Sequence, residues 1–428
     1  MASVVFYFQV HQPYRLRKYT VFDTDHFYFD TQKNGDICRK VAAKCYRPAT
    51  RLILDLVRKH KGNFRVSYAL TGVVVEQMRE FCPDVLDTFK ELAETGCCEF
   101  LGETYYHSLS FLYSREEFTA QVNQQTRLIE ELFGQTPTVF RDTELIYNND
   151  VAHYVAGMRG PDGKPRFKGI LAEGWDPVLG GRSANFVYRP PHTGTGPTGR
   201  PFCVLTKNYR LSDDIAFRFS NRGWSEWPLT AEKFAGWVNQ INGNGNVCNL
   251  FMDYETFGEH QWAETGIFDF LAALPEKIFD VNPGQNDFCT PGEAIERYAP
   301  AGVYDVPHMV SWADTERDLS AWLGNAMQSG ALQETYRLER AVKARLEAAE
   351  RGGDAAELAE ARYLLEDWRK LTTSDHFYYM STKYWADGDV HKYFSPYDSP
   401  YDAYINFMNV LDNARARATR KPAVEAAR

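Results

Sequence analysis

The sequence lacks the features that mark secreted and membrane proteins. Its 8 cysteines form no C-x-x-C pair, and no N-x-[ST] glycosylation site occurs in the 428 residues. No apolar stretch approaches the roughly 18 residues that a transmembrane helix needs. The N-terminal stretch MASVVFYFQVHQPY has neither a basic segment before its apolar run nor a small-residue cleavage site after it. We therefore expect a soluble, cytoplasmic protein with reduced thiols and no membrane partner.

Positive charge is also in short supply. The chain has 48 Lys and Arg against 57 Asp and Glu, which gives a formal net charge of -9. Binding to a nucleic-acid backbone requires a basic surface. The one basic stretch, ARARATRKP at 414–422, is short and lies near the C-terminus. We expect it to be a solvated end of the chain, and we expect no nucleic-acid partner.

Motifs for nucleotides and for several common catalytic centres are absent as well. The chain has no P-loop, no H-E-x-x-H and no G-x-S-x-G. The string GTGPTG at 194–199 matches G-x-G-x-x-G, but no strand leads into it and no helix follows it. A dinucleotide site is therefore not expected there.

Aromatic and apolar residues, by contrast, are plentiful, with 9 Trp, 25 Tyr and 28 Phe. Short apolar runs alternate with segments of helical pattern, which is typical of a parallel sheet with crossover helices. The number of runs favours a barrel of the TIM type, with an open doubly wound sheet as the alternative. The seven runs lie at 3–10, 64–71, 97–102, 138–142, 167–172, 201–206 and 247–253.

The alternating pattern stops near residue 310. Beyond it the sequence predicts two long helices joined by a turn at Gly352 and Gly353, and a third helix over 401–418. We expect a catalytic barrel at 1–310 and a helical region at 311–428 packed against it.

Polar residues follow four of the predicted strands. In a parallel barrel the carboxyl ends of all strands open on the same rim, where enzymes of this architecture place their active sites. A single polar strand end is commonly a helix cap or part of a surface loop, but four together favour a site. These polar ends contain His11, Glu103 and His107, Glu144, and Asp253.

Several carboxylates beside many aromatic rings favour a neutral, polyhydroxylated ligand, because carboxylates accept hydrogen bonds from hydroxyls and rings stack on sugar faces. Cleavage of a glycosidic bond needs two carboxyl groups, one to attack or support the anomeric carbon and one to protonate the leaving oxygen. Glu144 and Asp253 are the best-placed pair in the sequence.

Each candidate also has a plainer interpretation. Glu144 could lie in the first turn of a helix capped by Asp142 and Thr143, and Asp253 could cap the segment after its strand. Glu255 and Glu259 are expected to hold neighbouring Arg or Lys side chains. Three aromatic residues could pack in a core or stack on sugar: Trp175, Trp262 and Tyr378.

Five segments together resemble the five ordered sequence regions of glycoside hydrolase family 57, in its α-amylase branch. The resemblance implies an irregular (β/α)7 barrel followed by a helical region that contributes to the active-site rim. It also implies retaining cleavage of α-1,4 bonds in maltooligosaccharides, starch or glycogen, without a cofactor or a metal ion. The segments are HQPY (11–14), LGETYYHSL (101–109), FRDTELIY (140–147), LFMDYETFGEHQW (250–262) and TSDHFYYMST (373–382).

Carried over by position, the resemblance implies that Glu144 is the nucleophile and Asp253 the general acid/base. His260 stands where some transferases of the family carry Trp. The chain also lacks the long β-rich extension of those transferases, and the lack of this extension favours a hydrolase. The residues that fall where relatives hold sugar hydroxyls are His11, Glu103, His107, Asp375 and His376. The expected substrate-binding set is completed by Trp175, His260, Trp262 and Tyr378.

Three alternatives remain. A 4-α-glucanotransferase or branching enzyme would use the same two carboxylates, and a glucan-binding protein would use neither for catalysis. A metal-dependent deacetylase could be built from His11, His107 and a carboxylate. The sequence does not indicate the oligomeric state.

Overall fold

A computed structural model describes residues 1–385 and 395–420 of the chain, so the end of the basic stretch at 414–422 lies outside the described residues. All seven predicted strands are confirmed, and each forms where an apolar run was expected. Two further short strands, at 187–188 and 286–288, carried no clear signal. The strands are β1 (Ala2–Val10), β2 (Val66–Leu70), β3 (Cys98–Phe100), β4 (Val139–Arg141), β5 (Gly169–Glu173), β6 (Val187–Tyr188), β7 (Cys203–Lys207), β8 (Val247–Asp253) and β9 (Asn286–Phe288).

The strands form two sheets that meet at both sides. In one sheet β1 lies between β2 and β8, β3 pairs with β2, and β9 also pairs with β1. The other sheet has the order β4-β5-β7-β6, in which only β6 runs antiparallel to its neighbour. A parallel bridge between Gly102 and Phe140 connects β3 with β4. On the other side the Asn208 N–H donates to the carbonyl oxygen of Asn249 at 2.9 Å, which connects β7 with β8.

The seven parallel strands thus follow one another in the ring order of an irregular (β/α)7 barrel, but their hydrogen-bonded ladders do not form one unbroken ring. Between β3 and β4 the interruption follows from strand length, because these strands have three residues each and form a single bridge. An open doubly wound sheet would instead leave two strands as unconnected edges.

Helices follow the strands as the sequence pattern predicted. Ser and Thr residues before three helical segments predict N-terminal caps, and the structure confirms them at Ser114, Thr230 and Thr290, whose hydroxyls accept from backbone N–H groups three residues ahead. The helices are α1 (Thr31–Val41), α2 (Arg47–Lys59), α3 (Gly72–Phe81), α4 (Pro83–Glu94), α5 (Ser110–Tyr113), α6 (Arg115–Phe133), α7 (Asn149–Gly157), α8 (Asp176–Leu179), α9 (Tyr209–Asp213), α10 (Ala231–Asn239), α11 (Ile267–Asp280), α12 (Pro291–Arg297), α13 (Ser320–Leu323), α14 (Ala326–Gly352), α15 (Ala355–Leu371), α16 (Ser374–Tyr378) and α17 (Pro400–Thr419).

The described chain forms two compact units that interleave in sequence. The first comprises residues 1–12, 35–104 and 122–312, and the second comprises 13–34, 105–121 and 313–428. The expected division at residue 310 stays a prediction, because these units are defined by packing and not by independent folding. Among the described residues, no helix is both long and apolar enough to cross a membrane.

The second unit contains the predicted helical region. Helices α14 and α15 are joined by the turn at Gly352 and Gly353, and α17 packs against both of them. The indole Nε1 of Trp368 donates to the carbonyl oxygen of Thr335 at 2.8 Å, so α15 and α14 are joined by a hydrogen bond as well as by apolar contact. The buried carboxylate of Glu117 pairs with Arg369 at 2.7 Å in the same unit.

The cap of α12 provides a test of the local structure in the first unit. The Glu293 N–H donates to the Thr290 hydroxyl at 3.3 Å, and the Glu293 carboxylate accepts from the Thr290 N–H at 2.9 Å. We expect Thr290→Ala to lower the free energy of unfolding by about 1 kcal/mol in urea titrations. Thr88→Ala, in the interior of α4, is the control and should change it by less than about 0.5 kcal/mol. Equal losses in the two variants would contradict the role of the cap.

Candidate active site

The candidate site begins with a layer of polar side chains at the carboxyl ends of the seven parallel strands. Alternate residues of a strand share one face, and on these strands that face packs its apolar residues into one buried core cluster. Two residues beyond the last core residue, each strand places a polar or charged side chain on the same face. These residues are Gln9, Thr71, Glu103, Arg141, Glu173, Lys207 and Asp253.

Arg141 is the most completely buried cation of this layer, with no exposed surface. Its Nη1 lies 4.0 Å from the carboxylate of Glu103. Among the described residues, none of its three guanidinium nitrogens has a hydrogen-bond partner. Burial acts to lower the pKa of Arg141, but interactions with Tyr7 and three carboxylates raise it above its ordinary value. Those carboxylates are Glu103, Glu144 and Asp253.

The same three carboxylates act on the phenol of Tyr7. Burial raises the pKa of Tyr7 well above its ordinary value, and charges on Glu103, Asp253 and Glu144 raise it further. The phenol therefore keeps its proton at neutral pH, and it donates to Oε1 of Gln9 at 2.5 Å. The charges of the two predicted catalytic carboxylates thus act on the same buried phenol and on the same buried guanidinium.

Glu144 has a backbone conformation that is uncommon for its residue type. Its φ and ψ of 58° and 26° lie in the left-handed region, and Leu145 follows with a φ of 50°. Such a conformation costs on the order of 1–2 kcal/mol without glycine and is concentrated at functional sites. Glu144 does not start the α-helix, which begins at Asn149 and is capped by Asn148, but it lies in a short 3-10 turn, Thr143–Leu145, that Asp142 caps.

Trp312 binds the side chain of Glu144 directly. Its indole Nε1 donates to Oε2 of Glu144 at 2.9 Å, and its backbone N–H donates to the carbonyl oxygen of Glu144 at 3.3 Å. The indole also packs against the core cluster beneath the polar layer. Both the main chain and the carboxylate of Glu144 are therefore held by one residue.

Asp253 ends β8 directly beside Gln9 of β1 and is partly exposed. The amide nitrogen of Gln9 lies 3.3 and 3.2 Å from the two oxygens of Glu103 and donates to this carboxylate. Hydrogen bonds thus run from Tyr7 through Gln9, both on β1 beside β8, to Glu103 beyond β3. The predicted site residues Glu103 and Asp253 are brought together with Glu144 in the first unit.

His11 lies one residue beyond β1, with Nδ1 2.9 Å from the hydroxyl of Thr71. That hydroxyl already accepts from the Val74 N–H at 3.3 Å as the cap of α3. That hydroxyl can therefore donate its own proton to Nδ1 of His11.

The other predicted ligand-binding residues of the first unit differ in exposure. Trp175 follows β5 and is half-buried, whereas Trp262 is 60% exposed, with the Lys44 ammonium 5.7 Å from its ring centroid. Burial lowers the pKa of His260 to about 4, so its ring is neutral at pH 7. The expected ion pairing of Glu259 is confirmed, since Lys40 and Lys44 lie 2.6 and 3.2 Å from its oxygens.

Four predicted residues belong to the second unit, where two distant motifs meet. Ser108 and Thr373 form an antiparallel bridge, and the Ser374 N–H donates to the carbonyl oxygen of His107 at 2.9 Å. Like Glu144, His107 has a left-handed backbone, with a φ of 51°. Helix α16 carries the remaining three, of which Asp375 and Tyr378 are half-buried and His376 is buried. The roles of these four residues in binding stay predictions.

Several residues of the polar centre were not predicted from the sequence. Arg141 lies inside the run at 138–142 and Lys207 directly follows the run at 201–206, so a single charge at the end of a strand was the only available signal. Tyr7 and Gln9 are indistinguishable from other residues of an apolar strand. Trp312 lies beyond the last strand and outside every motif, so nothing in the sequence pointed to it.

Among the described residues, no three His, Cys, Asp or Glu side chains converge in a way that could hold a metal ion.

Among the described residues, no Lys or Arg pairs with Glu255, contrary to expectation. Its carboxyl group is buried, accepts from the phenol of Tyr46, and lies 3.4 Å from the amide nitrogen of Gln12. Burial is the main cause, and the charge on Asp253 the second, of a pKa raised to about 8. Glu255 is therefore mostly protonated at neutral pH.

This raised pKa makes the stability of the fold depend on pH. An acid whose folded-state pKa lies above its unfolded value stabilises the fold fully below the unfolded value, and that contribution is lost as the pH rises through the folded value. We expect the free energy of unfolding to fall between pH 5 and 8 by up to about 1.4 kcal/mol per pH unit from this group. Glu255→Gln should remove that part of the slope in urea titrations.

Glu259→Gln is the control for this prediction, because the ion pairs of Glu259 with its two lysines lower its pKa despite its burial. Its contribution is present above the ordinary pKa of glutamate and is lost only in more acidic solution. The slope between pH 5 and 8 should survive in this variant. An unchanged slope in Glu255→Gln would contradict the assignment.

Comparisons with known proteins give matches over most of the sequence. The family model described as Glycosyl hydrolase family 57 matches residues 5–307. A protein of Methanocaldococcus jannaschii named "Putative alpha-amylase" is 41% identical over 417 residues, which cover 95% of this chain and 83% of that protein.

Two solved structures resemble the fold at low sequence identity. A GH57-type branching enzyme from Pyrococcus horikoshii has a TM-score of 0.64 at 14% identity, covering 92% of this chain and 87% of its own. A 4-alpha-glucanotransferase from Thermococcus litoralis has a TM-score of 0.55 at 15% identity, and the match covers 92% of this chain but only 54% of that enzyme. This chain thus spans about half the length of the transferase. On the match of the family model and of the archaeal relative, the chain belongs to glycosyl hydrolase family 57.

Proposed function

We propose that this glycoside hydrolase cleaves α-1,4-glucosidic bonds in maltooligosaccharides and in starch- or glycogen-type glucans, with retention of configuration. The observation that carries the proposal is the pair of carboxylates, Glu144 and Asp253, around one buried cation, Arg141. The name of the archaeal relative supports an α-glucan as the substrate.

In the proposed mechanism Glu144 attacks the anomeric carbon and forms a covalent glycosyl-enzyme. Asp253, protonated, donates to the departing glucan oxygen as the glycosidic bond breaks. Asp253 then takes a proton from water, the water oxygen attacks the anomeric carbon, and Glu144 is released as a carboxylate. The chemistry requires no cofactor and no metal ion.

The surroundings of the two carboxylates support these opposite roles. A nearby cation and a hydrogen-bond donor favour the ionised form of a carboxyl group, and nearby negative charges favour the protonated form. Glu144 has the Arg141 guanidinium and the Trp312 N–H. Asp253 and Glu103 act on the same two groups, Tyr7 and Arg141, and the negative charge of Glu103 favours the protonated form of Asp253.

We assign the remaining predicted residues to sugar binding. His11 and Glu103 of the first unit would bind hydroxyls, and Trp175, His260 and Trp262 would contact further sugar rings. In the second unit the same role is proposed for His107, Asp375, His376 and Tyr378. All eight cysteines are free thiols, which supports a reducing, cytoplasmic environment.

Product analysis with maltoheptaose tests the activity. We expect shorter sugars with new reducing ends, unaffected by EDTA, and a turnover reduced roughly 10³-fold or more in Glu144→Gln. Glu131→Gln changes an exposed glutamate paired with Arg79 and should retain full activity. A ladder of longer sugars at a constant number of reducing ends would show a transferase instead. Chelation-sensitive activity would contradict the carboxylate mechanism.

The configuration of the first product tests the role of Glu144 as nucleophile. Proton NMR during early turnover should show the α-anomer first, because two inversions give net retention. Asp253→Asn should lose far more activity on maltosides than on aryl glycosides with an activated leaving group, which need no protonation to depart. A β-anomer as first product would require an inverting mechanism. Equal losses on both substrate types would remove Asp253 from the acid role.

A further inference from the structure

We propose that Trp312 positions Glu144 for the reaction. The indole N–H of Trp312 keeps the Glu144 carboxylate ionised and oriented. Arg141 and Lys207, which lie beside the indole ring, strengthen that hydrogen bond. The inference rests on the proposed role of Glu144 as nucleophile. It adds the residue that prepares this carboxylate for attack.

The first observation is that Trp312 forms two hydrogen bonds with Glu144. Its indole Nε1 lies 2.9 Å from Oε2, and its backbone N–H lies 3.3 Å from the carbonyl oxygen of the same glutamate. Two residues earlier, Val310 forms an antiparallel bridge with Tyr147, with both N–H···O distances at 2.9 Å. The segment ending at Trp312 therefore fixes the left-handed turn at Glu144 from one side.

The second observation is the pair of cations at the indole ring. The guanidinium carbon of Arg141 lies 5.0 Å from the ring centroid, and the ammonium of Lys207 lies 5.4 Å from it. Both distances are within the range of cation–π interaction. A cation over the ring draws electron density from the indole, which makes its N–H a stronger donor to an anion.

The position of Arg141 is unusual for a buried guanidinium. It is fully buried, yet among the described residues its nitrogens have no hydrogen-bond partner. Buried arginines ordinarily form such bonds, because an unsatisfied buried donor costs about 1–3 kcal/mol. Its contacts are the indole ring and the charge of Glu103, so its effect on Glu144 is electrostatic and acts partly through Trp312. Lys207, by contrast, is held by Asp213 at 3.1 Å.

The charges around Glu144 explain why the hydrogen bond from Trp312 and the two nearby cations are needed. Glu103 acts on the same guanidinium as Glu144, and a nearby like charge favours the protonated form of a carboxyl group. A protonated Glu144 would not be a nucleophile. The opposing groups are Arg141, Lys207 and the indole N–H. The charged and titratable side chains of this centre are Tyr7 of β1, Glu103 after β3, Arg141 of β4 with Asp142 after it, Glu173 of β5, Lys207 of β7, Asp213 of α9, and Asp253 of β8.

The test is Trp312→Phe, which keeps an aromatic ring and removes the N–H. We expect kcat to fall roughly 10- to 100-fold with KM changed less than about threefold, since the bond acts on the nucleophile and not on bound sugar. The apparent pKa of the acidic limb of kcat/KM should rise by about one unit, because loss of a charge-assisted bond favours the protonated carboxyl. An unshifted acidic limb would overturn the proposal.

Trp368→Phe is the matched control. It removes an equally short indole N–H···O bond, 2.8 Å long, to the carbonyl oxygen of Thr335 within the second unit. A loss of activity caused by general destabilisation would also occur in this variant. We expect its acidic limb to match that of the unmodified protein, and an equal shift in the two variants would overturn the proposal.

A second measurement does not depend on folding of the Trp312 variant. In a ¹⁵N-indole spectrum of the unmodified protein, one indole N–H resonance should titrate with the apparent pKa of the acidic limb. The same resonance should not titrate at that pH in Glu144→Gln. Absence of any indole resonance that follows the acidic limb would overturn the proposal.

The outcomes separate this inference from the proposed function. Substantial turnover by Glu144→Gln would remove the nucleophile itself, whatever Trp312 does. An inactive Glu144→Gln together with an unshifted acidic limb in Trp312→Phe would retain the nucleophile and reject Trp312 as its positioning residue.

Discussion

The polar centre of the first unit depends on one buried charge, the guanidinium of Arg141. Removing such a cation from water costs several kcal/mol, and the cost is recovered only if opposite charges are close by. Glu103, Glu144 and Asp253 supply them, and their charges raise the pKa of Arg141 despite its burial. The dependence is mutual, because three carboxylates near one another would repel without the cation. The carboxylates to which we assign catalysis are therefore among the groups that stabilise this centre.

The parallel sheet explains why these residues meet. Each strand contributes apolar side chains to the core cluster and then, two residues later on the same face, one polar side chain. Because every second residue of a strand lies on the same face, one extended segment can contribute a side chain to the core and the next one on that face to the site. The exception is Glu144, which lies beyond its strand and reaches the centre through a left-handed turn. Backbone strain at that position is offset by the contacts of Trp312 and by the buried surroundings of Leu145.

The limits of sequence analysis follow from this construction. Strands and helix caps such as Thr290 are local patterns, so the seven parallel strands and the capping boxes were predictable. That Glu144 and Asp253 lie at this centre could be predicted because an acid close after an apolar run is conspicuous, and their catalytic roles stay predictions. Arg141 and Lys207 were not predictable, because their role depends on which strands become neighbours. The position of Trp312 depends on how the chain returns to Glu144 after the last strand, and no periodic pattern in the sequence indicates that return. The grouping of 105–121 with the C-terminal helices is equally non-local.

The contrast between Glu144 and Asp253 is finally a matter of neighbouring charges. Both are single carboxyl groups near the same guanidinium, yet a retaining glycosidase needs one ionised and one protonated. The indole N–H binds Glu144, whereas Asp253 ends its strand two residues before Glu255, whose own pKa is raised to about 8. Because Glu255 keeps its proton at neutral pH, the charge that the proposed mechanism places on Asp253 would meet a neutral neighbour. Under that proposal Asp253 can lose and regain its proton within one catalytic cycle, while Glu144 stays available for attack.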